Sequence, residues 1–152
     1  MNQVLQAKLK TLPRTPGVYF HKSASGEVIY VGKAAVLKNR VRQYFQDSRG
    51  RDNKTMALVA EIFDTDWIET ESEVDALFLE SEMIKRYMPR YNVLLRDDKS
   101  QMYVRIDMKS DWPTVSFTRN PADDGADYFG PFYNGFALKK ALRYLRRIFP
   151  YL

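Results

Sequence analysis

Residues 17–46 read GVYFHKSASGEVIYVGKAAVLKNRVRQYFQ, and the fold is decided in this stretch. Two runs rich in β-branched and aromatic residues, Gly17 to His21 and Glu27 to Gly32, flank Ser23-Ala24-Ser25-Gly26, which supplies turn chemistry, so the pattern predicts a β-hairpin. Alternation sets Val18, Phe20, Ile29 and Val31 on the core face and Tyr19, His21, Val28, Tyr30 and Gly32 on the other. Two phenols thus converge on one side of one hairpin. From Val36 to Gln46, Leu37, Val41 and Phe45 recur at helical spacing with basic residues between them. Arg40 and Tyr44 are four apart and share one flank of that helix.

Outward from this stretch, residues 1–17 predict a short amphipathic helix and a proline-marked loop, without the apolar run of a secretory signal. Residues 46–54 (QDSRGRDNK) read as an exposed loop. A helix over Thr55 to Phe63 and a strand over Trp67 to Thr70 follow. Ser72 with Asp75 opens a helix from Glu73 to Met88, which Pro89 stops. Glu80 falls on its packed side, one turn from Ala76, Leu77 and Ile84, where an unpaired charge is costly. Met102 to Asp107 and Thr114 to Thr118 alternate as strands. After YFGPFYNG a last helix, Phe136 to Phe149, carries Leu138, Leu142, Leu145 and Phe149 as its apolar stripe, with Lys139, Lys140, Arg143, Arg146 and Arg147 around it.

Composition bounds the function classes. At 152 residues the chain suits one compact domain or a small domain with an appendage. Lys and Arg outnumber Asp and Glu by 24 to 19, which favours a polyanionic partner without establishing one. Cysteine is absent, so a thiolate zinc site and a disulfide framework are excluded, any metal must take oxygen or nitrogen ligands, and a reducing cytoplasm is the expected location. No run reaches the ~20 apolar residues of a membrane span.

Taken in order, Gly17-Val18-Tyr19, Tyr30-Val31-Gly32, Lys33, Arg40, Tyr44, Glu80 in ALFLESEMIK and Asn92 in PRYNVLL resemble the GIY-YIG nucleases. RDDKS, PTVSFTR, YFGPF and LRRIFP extend the resemblance to the tail that follows the nuclease core in UvrC proteins. Gln101-Met102 and Gln43 depart from that pattern, where an aromatic with a proline and a serine are usual. The resemblance implies an α/β fold: a small twisted, mainly antiparallel sheet flanked by helices over residues 1–97, with a C-terminal hairpin-plus-helix extension over 98–152 packed on or linked to it. UvrC proteins are longer, so the chain reads as an amino-terminal fragment, with a naturally short stand-alone nuclease as the alternative.

The same resemblance implies a metal-dependent DNA endonuclease making the 3′ incision of nucleotide-excision repair on damaged double-stranded DNA, the full-length protein working on a UvrB–DNA complex. Glu80 would anchor one divalent ion, Mg²⁺ or Mn²⁺. Arg40 would hold a non-bridging phosphate oxygen, and Lys33 would add charge beside the phenols. One of Tyr19 and Tyr30 would act as general base or relay, the choice between them staying open, with a field from Lys33, Arg40 and the metal offsetting a phenol pKa of ~10. Tyr44 and Asn92 would position water, phosphate or other side chains. Gly32, Lys33, Arg40 and Arg42 would meet DNA. Against this stand a non-catalytic nucleic-acid-binding module on the same basic aromatic surface and a mobile-element or restriction GIY-YIG enzyme, which the tail disfavours. His21 is expected to take a surface or packing role rather than a catalytic one.

Overall fold

The computed structural model describes residues 2–46, 51–95, 102–109, 111–132 and 135–148, and the chain divides into two units, Met1–Leu95 and Arg96–Leu152. The first contains α1 (Gln3–Leu9), β1 (Gly17–Lys22), β2 (Val28–Ala34), α2 (Leu37–Gln43), α3 (Asn53–Glu61), β3 (Asp64–Glu69), α4 (Glu73–Tyr87) and α5 (Arg90–Leu95). Its sheet has the order β2-β1-β3, antiparallel throughout. The predicted hairpin is closed by Gly26 at φ 85°, with the Ser23 N–H donating to the Glu27 carbonyl at 2.9 Å.

The central strand β1 is buried on both faces, with Val18, Tyr19, Phe20 and His21 all below a tenth exposed. Phe20 packs edge-on against Tyr87 of α4, while His21 meets Tyr44 and Phe45 at the end of α2. The two faces distinguished by alternation are therefore two packed faces rather than a core face and an open one. Gly17 is required by crowding, because a β-carbon there would stand 2.4 Å from the Ile68 carbonyl oxygen and 2.6 Å from Leu37.

Several element ends differ from the sequence expectation. Helix α3 begins at Asn53 instead of Thr55, since the Asp52 carboxylate accepts the Thr55 N–H at 2.7 Å and caps it. Strand β3 starts at Asp64, where Lys8 of α1 bridges Asp64 at 3.2 Å and also contacts Asp66. Helix α4 opens as expected, the Ser72 hydroxyl accepting the Asp75 N–H at 3.2 Å and donating to its carboxylate at 2.9 Å. It ends with Met88 in the left-handed region ahead of Pro89, and the short α5 that follows was not anticipated.

The second unit holds β4 (Met102–Ile106), β5 (Val115–Thr118), β6 (Asp127–Phe132) and α6 (Gly135–Ile148). Its sheet order is β5-β4-β6, so the expected hairpin carries one more strand, drawn from the YFGPF stretch. Leu138 and Ala141 of α6 are buried. Phe149, placed in the predicted stripe, and the predicted boundary at Asp97-Asp98-Lys99 lie outside the described residues. Among the described residues no helix is long and apolar enough to cross a membrane.

Candidate active site

The site grows from one cross-strand pair. Tyr19 on β1 lies directly opposite Gly32 on β2, and a β-carbon on Gly32 would stand 2.3 Å from the Tyr19 phenol oxygen. The phenol therefore rests on the glycine, which is why that position of the second tripeptide carries no side chain. His21 pairs with Tyr30 in the same register. Tyr44 comes down from the C-terminus of α2 and closes the cluster, its hydroxyl sharing a 2.7 Å hydrogen bond with that of Tyr19. The Tyr30 ring lies 6.2 Å from both Tyr19 and Tyr44.

Arg40 joins from the expected flank of α2. Its guanidinium stacks over the Tyr44 ring at 5.6 Å and donates to the Gln43 side-chain oxygen at 3.1 Å. Arg51, not singled out in the sequence, donates to the carbonyls of Tyr44 (2.9 Å) and Gln43, and so ties the end of α2 to the start of α3. An open cleft of about 350 Å³ lies here, lined by Tyr30, Arg40, Gln43, Tyr44 and Arg51 among others. A basic residue after a glycine-containing loop was the only signal in the sequence for Arg51, and its partners are backbone carbonyls that no side-chain pattern displays.

Glu80 on α4 is half-buried and belongs to the same cluster. Burial pushes its carboxyl up to about 7, against the opposing pull of the Lys33 ammonium, the Lys33 backbone N–H and Arg40. Glu80 in turn contributes to raising Tyr30. A desolvated carboxylate pushed this far toward neutrality has room for a further positive charge, so it fits a divalent cation. Among the described residues no three Asp, Glu, His or Cys side chains gather to form a protein-only cage. A cation at Glu80 would complete its shell from water and substrate oxygens, as Mg²⁺ commonly does.

Burial dominates the two hairpin phenols. Burial raises Tyr19 and Tyr30 well above the usual phenol range, the neighbouring phenols add to it, and the lowering effect of Arg40 is smaller. Burial thus keeps both hydroxyls protonated near neutrality, because desolvation outweighs the field of one guanidinium.

Asn92, on α5, spends its amide on the backbone of β2: its Nδ2 donates to the Val31 carbonyl and its Oδ1 accepts the Val31 N–H, each at 2.8 Å. Its partners are therefore main-chain groups of the sheet-edge strand rather than the site's other side chains. Arg42 lies across α2 from Arg40, since residues two apart are rotated by roughly 200°. His21 is fully buried and so packs instead of lying at the surface, with Nδ1 2.9 Å from the Thr65 hydroxyl and Nε2 without a partner among the described residues.

Comparison with known proteins bears on this arrangement directly. Residues 15–93 match the UvrC-like GIY-YIG domain family. The crystal structure of the GIY-YIG N-terminal endonuclease domain of UvrC from Thermotoga maritima, bound to its catalytic divalent cation magnesium, superposes with a TM-score of 0.53 at 35% identity, covering 60% of this chain and 99% of that one. UvrABC system protein C of Caldanaerobacter subterraneus is 47% identical over 146 residues, which are 96% of this chain and 24% of that protein. The Clostridium perfringens protein of the same name is 50% identical over 145 residues, 95% of this chain and 23% of its own length. The chain thus spans about a quarter of the curated relatives it matches. Fold and sequence together define a GIY-YIG nuclease domain. Within that class, the chain belongs to the family of UvrC-like GIY-YIG domains.

Proposed function

We propose that the chain is a divalent-metal-dependent endonuclease module that hydrolyses a phosphodiester of damaged double-stranded DNA, making the 3′ incision of nucleotide-excision repair in the cytoplasm on DNA held in a UvrB complex. The nuclease core is assigned to residues 1–97 and the extension to 98–152. The observation that carries this reading is the clustering of Glu80, Lys33 and Arg40 with three phenols, of which Tyr30 and Tyr44 line an open cleft together with Arg40.

Glu80 would hold the cation, Mg²⁺ or Mn²⁺. A divalent ion bound there supplies positive charge where negative charge builds on the phosphoryl oxygens. Arg40 lines the cleft and would place its guanidinium on a non-bridging oxygen, an interaction that strengthens as charge accumulates in the transition state. Lys33 would draw the phosphate toward β2, while Gly32, expected to meet DNA, is buried beneath the Tyr19 phenol.

Between the two tyrosines, the geometry favours Tyr30 for the attacking water, because Tyr30 lines the cleft whereas Tyr19 is only 1% exposed behind it. A phenol held protonated by burial accepts the water's proton only by handing its own onward, and Tyr44, which hydrogen-bonds Tyr30 and lines the same open cleft, would take that proton and release its own to solvent there. Asn92 fixes the β2 backbone on which Tyr30, Gly32 and Lys33 sit. The products carry a 5′-phosphate and a 3′-hydroxyl.

Glu80→Gln tests the assignment. The variant should lose cleavage of duplex DNA in Mg²⁺ while keeping DNA affinity within a few-fold, measured by gel assay and by binding in the absence of metal. Cleavage at the unaltered rate would remove Glu80 from the chemistry.

A further inference from the structure

Helix α2 separates two cationic hollows. On the flank of Arg40 and Tyr44 lies the cleft of the proposed active site. On the opposite flank, between α1 and α2, lies a groove of about 460 Å³ whose walls include Lys10, Lys38 and Arg42 over an apolar floor of Leu9 and Phe45. Among the described residues no carboxylate lines it. Lys38 and Arg42 are four residues apart and so stand one above the other on that flank, and Lys10 faces them from just beyond the end of α1. Three cations along one groove make a site for a run of phosphates rather than for a single ion pair.

We propose that this groove binds the phosphate backbone of the uncut strand of duplex DNA, with α2 lying in the groove between the two strands. The proposal rests on the reading of the chain as a DNA nuclease. Dimensions support it: a helix with its side chains is roughly 10–12 Å across, and the major groove, about 12 Å wide, admits one. Arg40 on one flank would then face the strand to be cut while Lys10, Lys38 and Arg42 face its complement. The charges are sequence-blind, so the groove would report the presence of a second strand and not its bases. Continuity with the catalytic flank of the same helix favours DNA over an acidic peptide as the occupant.

The test compares the full chain with its Lys10→Gln, Lys38→Gln, Arg42→Gln triple variant, binding a short duplex and the matching single strand without metal over a range of salt. Removing three phosphate contacts should reduce the slope of log affinity against log salt on the duplex by about 2.7. Single-strand binding should change far less. Arg42→Lys, which keeps the charge, should keep the slope, and matched melting curves report folding. In a second arm, neutral methylphosphonates placed in the uncut strand should weaken the unaltered chain and leave the triple variant indifferent. An unchanged slope, an equal loss on single strand and duplex, or sensitivity confined to methylphosphonates in the cut strand would each overturn the proposal. Cleavage in Mg²⁺ by the unaltered chain is scored separately, so the nuclease reading and the groove can fail independently.

Discussion

His21 carries a pH dependence that can be measured. Burial, with Arg40's charge acting in the same direction, lowers it to about 3. The folded chain therefore keeps the ring neutral under conditions where the unfolded chain takes up a proton, below about pH 6.5. The stability associated with the neutral ring is fully present above that pH and is lost as pH falls from 6.5 toward 3, amounting to about 2–3 kcal/mol at pH 4.5. Glu80 acts in the opposite sense: raised to about 7, it costs stability as pH climbs from its ordinary 4.5 through 7. The difference between unaltered chain and His21→Gln, obtained from urea unfolding at pH 7 and pH 4.5, isolates the histidine. The unaltered chain should lose the larger share of its stability on acidification, and parallel losses would assign the acid sensitivity elsewhere. Alternation in the sequence was enough to put His21, Tyr19 and Tyr30 on one face. It could not show that this face is dry, because Tyr44 and Phe45, which cover it, arrive from a different element.

Strand β2 is the edge of its sheet, and Asn92 supplies hydrogen bonds that no neighbouring strand offers there. Asn92→Ala should leave the Val31 N–H and carbonyl without these partners and cost about 2 kcal/mol in denaturant unfolding. Activity measured in the same variant should fall with the displacement of Tyr30 and Lys33 even at temperatures where the chain stays folded. A stability unchanged within a few tenths of a kcal/mol would mean that water replaces the amide at no cost. The helices with clear spacing and caps, α2 and α4, were legible in the sequence, and so was the β1–β2 hairpin. Helix α5 was not, since six residues after a proline carry too little periodicity to register. Strand β6 was hidden by Gly130-Pro131, a pair that reads as a break. It is tolerated because β6 is an edge strand with a register shift opposite it, where a missing N–H is least costly.

At the scale of the molecule, every residue assigned to the chemistry lies within Met1–Leu95. A chain ending at Leu95 should fold with a cooperative melt and retain Mg²⁺-dependent cutting within about tenfold of the full chain, which circular dichroism and cleavage rates would check. Loss of cooperative folding would show that the second unit is needed to complete the first. The central position of β1 also has a dynamic consequence. This strand is laced to β2 on one margin and to β3 on the other, so Tyr19 stands on a fixed anvil. Any widening of the catalytic mouth during turnover must come from the helices tilting against it, and the Arg51 tether between α2 and α3 sets how far that lever can swing.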